Sequence, residues 1–187
     1  MTGLRVISGD LKGRKLFSIN GLKIRPTSGR LRESIFNILS DQVVGSVVLD
    51  LFAGTGAMGI EALSRGASFA AFIDKDKEAI STIIKNINIC GLAERSTIAK
   101  FDILKDINRY ANKLTAANLV FIDPPYNRNL ITPALISLSK SRILKNNASL
   151  VVEHDLREAL FENISGYAIT DQRRYGKTLV TFLKYMV

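Results

Sequence analysis

Two apolar runs, Val47-Val48-Leu49 and Leu119-Val120-Phe121-Ile122, each stop at an aspartate and a turn: Asp50-Leu-Phe-Ala-Gly-Thr-Gly56 in the first case, Asp123-Pro-Pro-Tyr126 in the second. Runs this short and this rich in β-branched residues suit strands buried on both faces, as in the middle of a parallel sheet. From Val47 onward the pattern repeats. Strands at 47–51, 69–73, 95–99, 118–122 and 148–153 alternate with helices to about 65, over 77–89, a short one before 118, and one near 130–141. Such a repeat predicts a doubly wound α/β domain with a mostly parallel sheet and helices on both faces. The end differs: 164–171 and Thr178–Lys184, with Gly176 between them, read as an antiparallel hairpin, for seven strands in all. Ligands of open α/β sheets bind beyond the carboxyl ends of the strands, where both aspartate turns fall.

Ahead of the repeat, Leu4–Gly9 and Gly13–Ile19 predict a β-hairpin, and Arg25-Pro-Thr-Ser28 a loop with a helix cap. Leu31, Ile35, Ile38 and Leu39 then mark the apolar stripe of a helix, as Ile80, Ile83, Ile84 and Ile87 do for the helix over 77–89, with Gly91 placed to cap its end. Charge is concentrated here: of a net +9, residues 1–32 hold Arg5, Lys12, Arg14, Lys15, Lys23, Arg25, Arg30 and Arg32 against Asp10 alone. A basic segment before a nearly neutral body predicts an arm that grips the phosphates of RNA or DNA, with Arg5, Lys12, Arg14, Lys15 and Arg30 as the RNA-binding candidates. A merely solubilising surface is the plain alternative. We divide the chain into residues 1–24, the basic hairpin, and 25–187, the α/β domain. No apolar run approaches the ~20 residues that span a bilayer, and the N-terminus lacks a secretory core, so the protein is expected in the cytoplasm, as a monomer. Cys90 is the single cysteine, which excludes an internal disulfide and a multi-cysteine metal site; no metal is predicted.

Gly54-Thr55-Gly56-Ala57-Met58-Gly59 satisfies the dinucleotide fingerprint, with Asp74 twenty residues after Gly54. The glycines alone mark a strand-to-helix turn that any nucleoside ligand can approach, nicotinamide cofactors included. Charge separates the candidates. Asp50, Asp74 and Asp102 end or follow successive strands, and three carboxylates would repel a pyrophosphate. S-adenosylmethionine, with a sulfonium, an ammonium and a ribose diol, suits acceptors. A helix-capping role is the alternative for Asp50 and Asp102, and Asp76 reads as a cap outright.

In Asp123-Pro124-Pro125-Tyr126 two prolines remove two backbone donors and stiffen the chain behind a buried strand. Acceptors without donors suit a substrate NH2. An exocyclic amine on a nucleobase is a poor nucleophile because its lone pair is delocalised. Accepting its hydrogens through the Asp123 carboxylate and the Pro124 carbonyl would aim that lone pair, while Tyr126 stacks on the base. Cys90 reads as a packing residue, and His154 as structural with substrate contact as the alternative.

With both motifs in register, the chain resembles the class I S-adenosylmethionine-dependent methyltransferases of the DPPY type, and more closely the bacterial RsmD family, which methylates a guanine N2 in 16S ribosomal RNA. The stretches that carry the resemblance are Arg5-Val-Ile-Ser-Gly9, Gly13-Arg-Lys-Leu16, Arg25-Pro-Thr27, Arg30-Leu-Arg-Glu-Ser-Ile-Phe-Asn37, Leu49–Ala57, Gly59–Gly66, Phe121–Tyr126 and Arg174-Tyr-Gly176. The resemblance implies a Rossmann-like methyltransferase domain with S-adenosyl-L-methionine as cofactor and ribosomal RNA or an assembling small subunit as partner. It implies that Arg25 and Thr27 fold over the donor's methionine end, that Asp50, Gly54, Thr55 and Gly56 hold the methionine, Asp74 the ribose and Asp102 the adenine. Phe52, Ala53, Lys75, Ile103 and Asp123 are further cofactor contacts, and Asp123, Pro124, Pro125 and Tyr126 are the catalytic set. The family often carries Glu where this chain has Asp74. Rival readings are a DNA adenine-N6 methyltransferase, a non-catalytic RNA-binding assembly factor, and a nicotinamide oxidoreductase.

Overall fold

The computed structural model describes residues 3–19, 28–105, 107, 116–158 and 165–187. Its elements run α1 (Gly29–Leu39), β1 (Val47–Leu51), α2 (Ala57–Ser64), β2 (Phe69–Asp74), α3 (Lys77–Cys90), β3 (Ser96–Lys100), β4 (Ala117–Ile122), α4 (Ile131–Ser139), β5 (Leu144–Asp155), β6 (Tyr167–Tyr175) and β7 (Thr178–Tyr185). The short helix expected before β4 lies outside the described residues. One sheet carries the order β3-β2-β1-β4-β5-β7-β6. The first five strands pair in parallel and β7 is antiparallel to both β5 and β6, as the doubly wound reading requires.

Strand alternation builds a core on each face. Val48, Ala70, Phe72, Leu119 and Phe121 pack on one side with Ile35 and Phe36 of α1, Ile60 of α2 and Ile83 of α3. Leu49, Leu51, Ile73, Val120 and Ile122 meet Ala134 and Leu138 of α4 on the other. Helix ends follow their sequence signals: the Ser28 hydroxyl accepts from the Leu31 N–H, Asp76 accepts from Glu78 and Ala79, and Gly91 ends α3 at φ 66°.

Two stripes need correction. Ile38 is exposed on α1, where Arg32 and Phe36 are buried instead, and Ile84 is exposed on α3, where Asn86 is buried. In each case the helix is rotated toward a polar residue with a distant partner. Arg32 is therefore no part of the surface charge counted from the sequence. Its Nε lies 3.6 Å from Glu61, whose other oxygen takes Arg65 at 2.8 Å.

Glu61 also explains why, among the described residues, the N-terminal hairpin forms a single antiparallel bridge, Arg5↔Lys15, and no regular strand. The Ile7 and Ser8 N–H groups donate to the Glu61 carboxylate at 2.8 and 3.0 Å, and Leu11 N–H to the Ser64 hydroxyl at 3.0 Å, so the backbone is fastened to α2. Val6 and Leu16 enter the core beneath. At Gly9, with φ +78°, a Cβ would sit 1.8 Å from the Ser64 carbonyl, which makes glycine mandatory.

Candidate active site

The strand order reverses direction between β1 and β4, which are hydrogen-bonded neighbours with Leu51 opposite Ile122. The chain leaves β1 through Phe52 at φ 57°, a left-handed conformation costly for a bulky residue. Gly54 and Gly56 follow at φ +55° and +76°. The turn closes by Gly56 N–H donating to the Ala53 carbonyl at 2.7 Å, and Ala53 N–H donating to Ile73 at 3.1 Å. Over Gly54 an added Cβ would meet nothing nearer than the Phe52 carbonyl at 3.9 Å, so the backbone there is open to a ligand. Gly59 is different. Its Cβ would fall 2.4 Å from the Phe72 ring and 3.2 Å from Asp50, so the third glycine of the fingerprint serves helix-to-sheet packing.

Gly56 caps α2 without a side chain, and Asp50 supplies the missing oxygen: its Oδ2 accepts the Gly59 N–H at 2.9 Å. The carboxyl is only 3% exposed. Burial pushes its pKa up to about 8, the Gly59 hydrogen bond pulls against that, and the charge of Asp74 adds to it. Asp74 joins two turns, Oδ2 accepting from Gly54 N–H and Oδ1 from Asp76 N–H, both at 2.9 Å. Asp102 lies just past β3 and accepts from Leu104 N–H at 3.2 Å. Lys75 is exposed, Phe52 packs against the core on the α4 side, and Ile103 is buried within that core. Arg25 and Thr27 lie outside the described residues.

Directly after β4, Pro124 is buried while Pro125 and Tyr126 are exposed. The Tyr126 hydroxyl donates to Glu153 Oε1 at 2.6 Å and lies 3.3 Å from Thr178 Oγ1. Burial, Glu153 and Asp123 together hold this phenol well above its ordinary pKa. Glu153 sits at the end of β5 and is 7% exposed. Sequence reasoning missed it; an acid closing an apolar strand, the same signal that marked Asp50 and Asp123, could have found it. Its neighbour His154 is 1% exposed, with Nδ1 facing the carbonyls of Asp155 and Glu158 and Nε2 facing the Thr181 hydroxyl. Two acceptors at Nδ1 require the proton there, and burial lowers the ring's pKa, so His154 is a neutral strut between β5 and β7. Cys90 is buried in the core, where burial raises its thiol pKa.

Arg5, Lys12, Arg14, Lys15 and Arg30 are all exposed. Lys12, Arg14 and Lys15 border an open groove with Phe17 and Ile89. Asn86 of α3, fully buried, accepts from Phe17 N–H at 2.7 Å and donates to the carbonyls of Phe17 and Thr55 at 3.1 and 2.9 Å. A second residue unforeseen from the sequence thus ties the basic segment to the glycine turn. No helix of the described residues is long and apolar enough to cross a membrane.

Comparison with known proteins bears on the family and the fold. A family described as conserved hypothetical protein 95 matches residues 4–184. YlbH of Bacillus subtilis is 35% identical over 97% of this chain and 98% of its own. Ribosomal RNA small subunit methyltransferase D of Escherichia coli K12 is 34% identical over 84% of this chain and 77% of its own. Among solved structures, yhhF of Escherichia coli superimposes with a TM-score of 0.85 at 32% identity, covering 98% of both chains. The architecture is that of the class I methyltransferases.

Proposed function

The chain belongs to the family of the ribosomal RNA small subunit methyltransferase D proteins, and from that premise we propose that it moves a methyl group from S-adenosylmethionine to the N2 amine of a guanine in small-subunit ribosomal RNA. One observation carries the reading. The open Gly54 turn and the Asp123-Pro-Pro-Tyr126 turn leave hydrogen-bonded neighbouring strands at the same edge, so an acceptor-rich ligand seat and an amine clamp stand side by side.

The residues present fit the donor: the carboxyl groups of Asp50, Asp74 and Asp102 supply acceptors around a turn a ligand backbone can approach, a poor setting for a pyrophosphate. When bound, the donor supplies a methyl group on a positively charged sulfur. Asp50 and the Gly54–Gly56 backbone then hold the methionine end, Asp74 the ribose and Asp102 the adenine. At the second turn the Asp123 carboxylate and the Pro124 carbonyl accept the two amine hydrogens, which favours a pyramidal nitrogen and aims its lone pair. As the N–C bond forms, the methyl group's bond to sulfur would break and its electron pair return to sulfur, leaving a neutral thioether, while the nitrogen would shed a proton to the Asp123 carboxylate. Tyr126 presents its ring as the stacking wall, and no covalent intermediate on the enzyme is needed. The exposed cations Arg5, Lys12, Arg14, Lys15 and Arg30 grip RNA phosphates in the cytoplasm, with residues 1–24 as the RNA-binding extension of a monomer.

The test is labelled methyl transfer into unmodified small-subunit RNA, free or assembled with its proteins, and into DNA, with modified nucleotides mapped by mass spectrometry. We expect label on one guanine N2, lost in Asp123→Ala. Label on DNA adenine, or RNA methylation unaffected by Asp123→Ala, would overturn the assignment.

A further inference from the structure

We propose that Glu153 is a positioning residue of the base pocket, holding Tyr126 by its hydroxyl so that the aromatic ring faces the target base. The inference rests on the function proposed above and extends it to a residue outside both motifs.

Tyr126 stands on a turn whose next residues, Asn127 and Asn129, both adopt positive φ, and its side chain is 36% exposed. An aromatic ring so placed would sample several rotamers and lose that freedom on binding a base. Here the ring is pinned at its far end by a 2.6 Å bond to a carboxylate, the short distance expected of a charge-assisted O–H···O contact. The anchor is itself immobile: Glu153 lies in β5, paired with Val180 of β7, and Thr178 at the start of β7 approaches the same hydroxyl. Three elements therefore converge on one phenol.

The direction of the bond matters as much as its strength. An ionised carboxylate can only accept, so the phenol must donate to it. Its hydrogen is then directed away from the incoming amine, whose own hydrogens need acceptors and would be misdirected by a competing donor. Asp123 keeps its part of the clamp, and Tyr126 contributes a preset flat wall.

The experiment is a double-mutant cycle on methyl transfer from S-adenosylmethionine to small ribosomal subunits assembled on unmodified transcribed RNA. Tyr126→Phe keeps the ring and removes the anchor, so kcat/KM for RNA should fall about tenfold, mainly through KM, with donor affinity unchanged. Glu153→Ala should lose a similar factor, and the double variant should be little worse than either single one, because both remove the same bond. Glu153→Gln, whose carboxamide oxygen still accepts, should recover most of the loss. Wild-type kinetics in Tyr126→Phe, or losses that multiply in the double variant, would overturn the anchor. Should Glu153→Ala fail to fold, Tyr126→Phe and Glu153→Gln still decide the matter. Wild-type protein that methylates no RNA would instead overturn the proposed function, and this inference with it.

Discussion

Placed in the proposed donor site, Asp50 would give binding a proton-linked signature. Its carboxyl is pushed up to about 8 in the free protein, first by burial and then by the charge of Asp74, so it is largely neutral at pH 7. An ammonium and a sulfonium bound nearby favour the ionised form, and binding should expel that proton. With a free-protein pKa of about 8, roughly 90% of molecules carry the proton at pH 7, so about 0.9 of a proton should leave per donor bound. Affinity should rise by up to about tenfold per pH unit between about pH 6 and 8, then level off. Stability of the free protein has the matching sign. The folded state holds a proton that the unfolded chain has already released from about pH 4 upward, so this group's contribution falls as pH rises from about 4 to 8. Saturating donor should shrink that fall. Calorimetric titration with S-adenosylmethionine, in buffers of unlike ionisation enthalpy, measures the proton directly. Asp50→Asn should bind with no proton release and no pH slope. Proton release near zero in the wild type, with affinity flat across pH 6 to 8.5, would show that Asp50 does no more than cap α2.

Asp74→Ala should weaken the donor at least tenfold by freeing the Gly54 and Asp76 amides as well as removing the ribose acceptor; an unchanged dissociation constant refutes the ribose assignment. Arg14→Glu with Lys15→Glu should weaken RNA binding and flatten its salt dependence by roughly one to two counterions, with donor affinity intact; equal loss of both affinities contradicts the RNA-gripping role. Gly59→Ala should destabilise the fold by about 1–3 kcal/mol, because its Cβ would strike Phe72 at 2.4 Å; an unchanged melting temperature contradicts the packing role.

What the sequence made legible was whatever depends on neighbours along the chain. Val47–Leu51 was located to the residue, and the caps at Ser28, Asp76 and Gly91 follow because each bonds within a few positions of itself. The glycine turn and the aspartate–proline turn were legible for the same reason. Arg32, Asn86 and Glu153 were not, since their partners lie 27 to 69 residues away. A charge pattern cannot tell a solvated arginine from one folded beneath a glutamate, which is why Arg32 was counted with the surface. The amphipathic stripes erred at Ile38 and Ile84, where a buried polar side chain sets the helix rotation. Gly59 fitted a ligand fingerprint by spacing, and only the neighbouring Phe72 ring shows that its hydrogen side chain makes room for a helix.

The clasp on Glu61 means the molecule has no detachable front end. Trimming it before Arg14 would leave a carboxylate sealed in the interior without Ile7 and Ser8, and strip Arg32 of the Arg5 carbonyl that receives its guanidinium. A shortened version would be a damaged globule, and its failure to modify RNA would say nothing about recognition; surface charge reversal is the cleaner instrument.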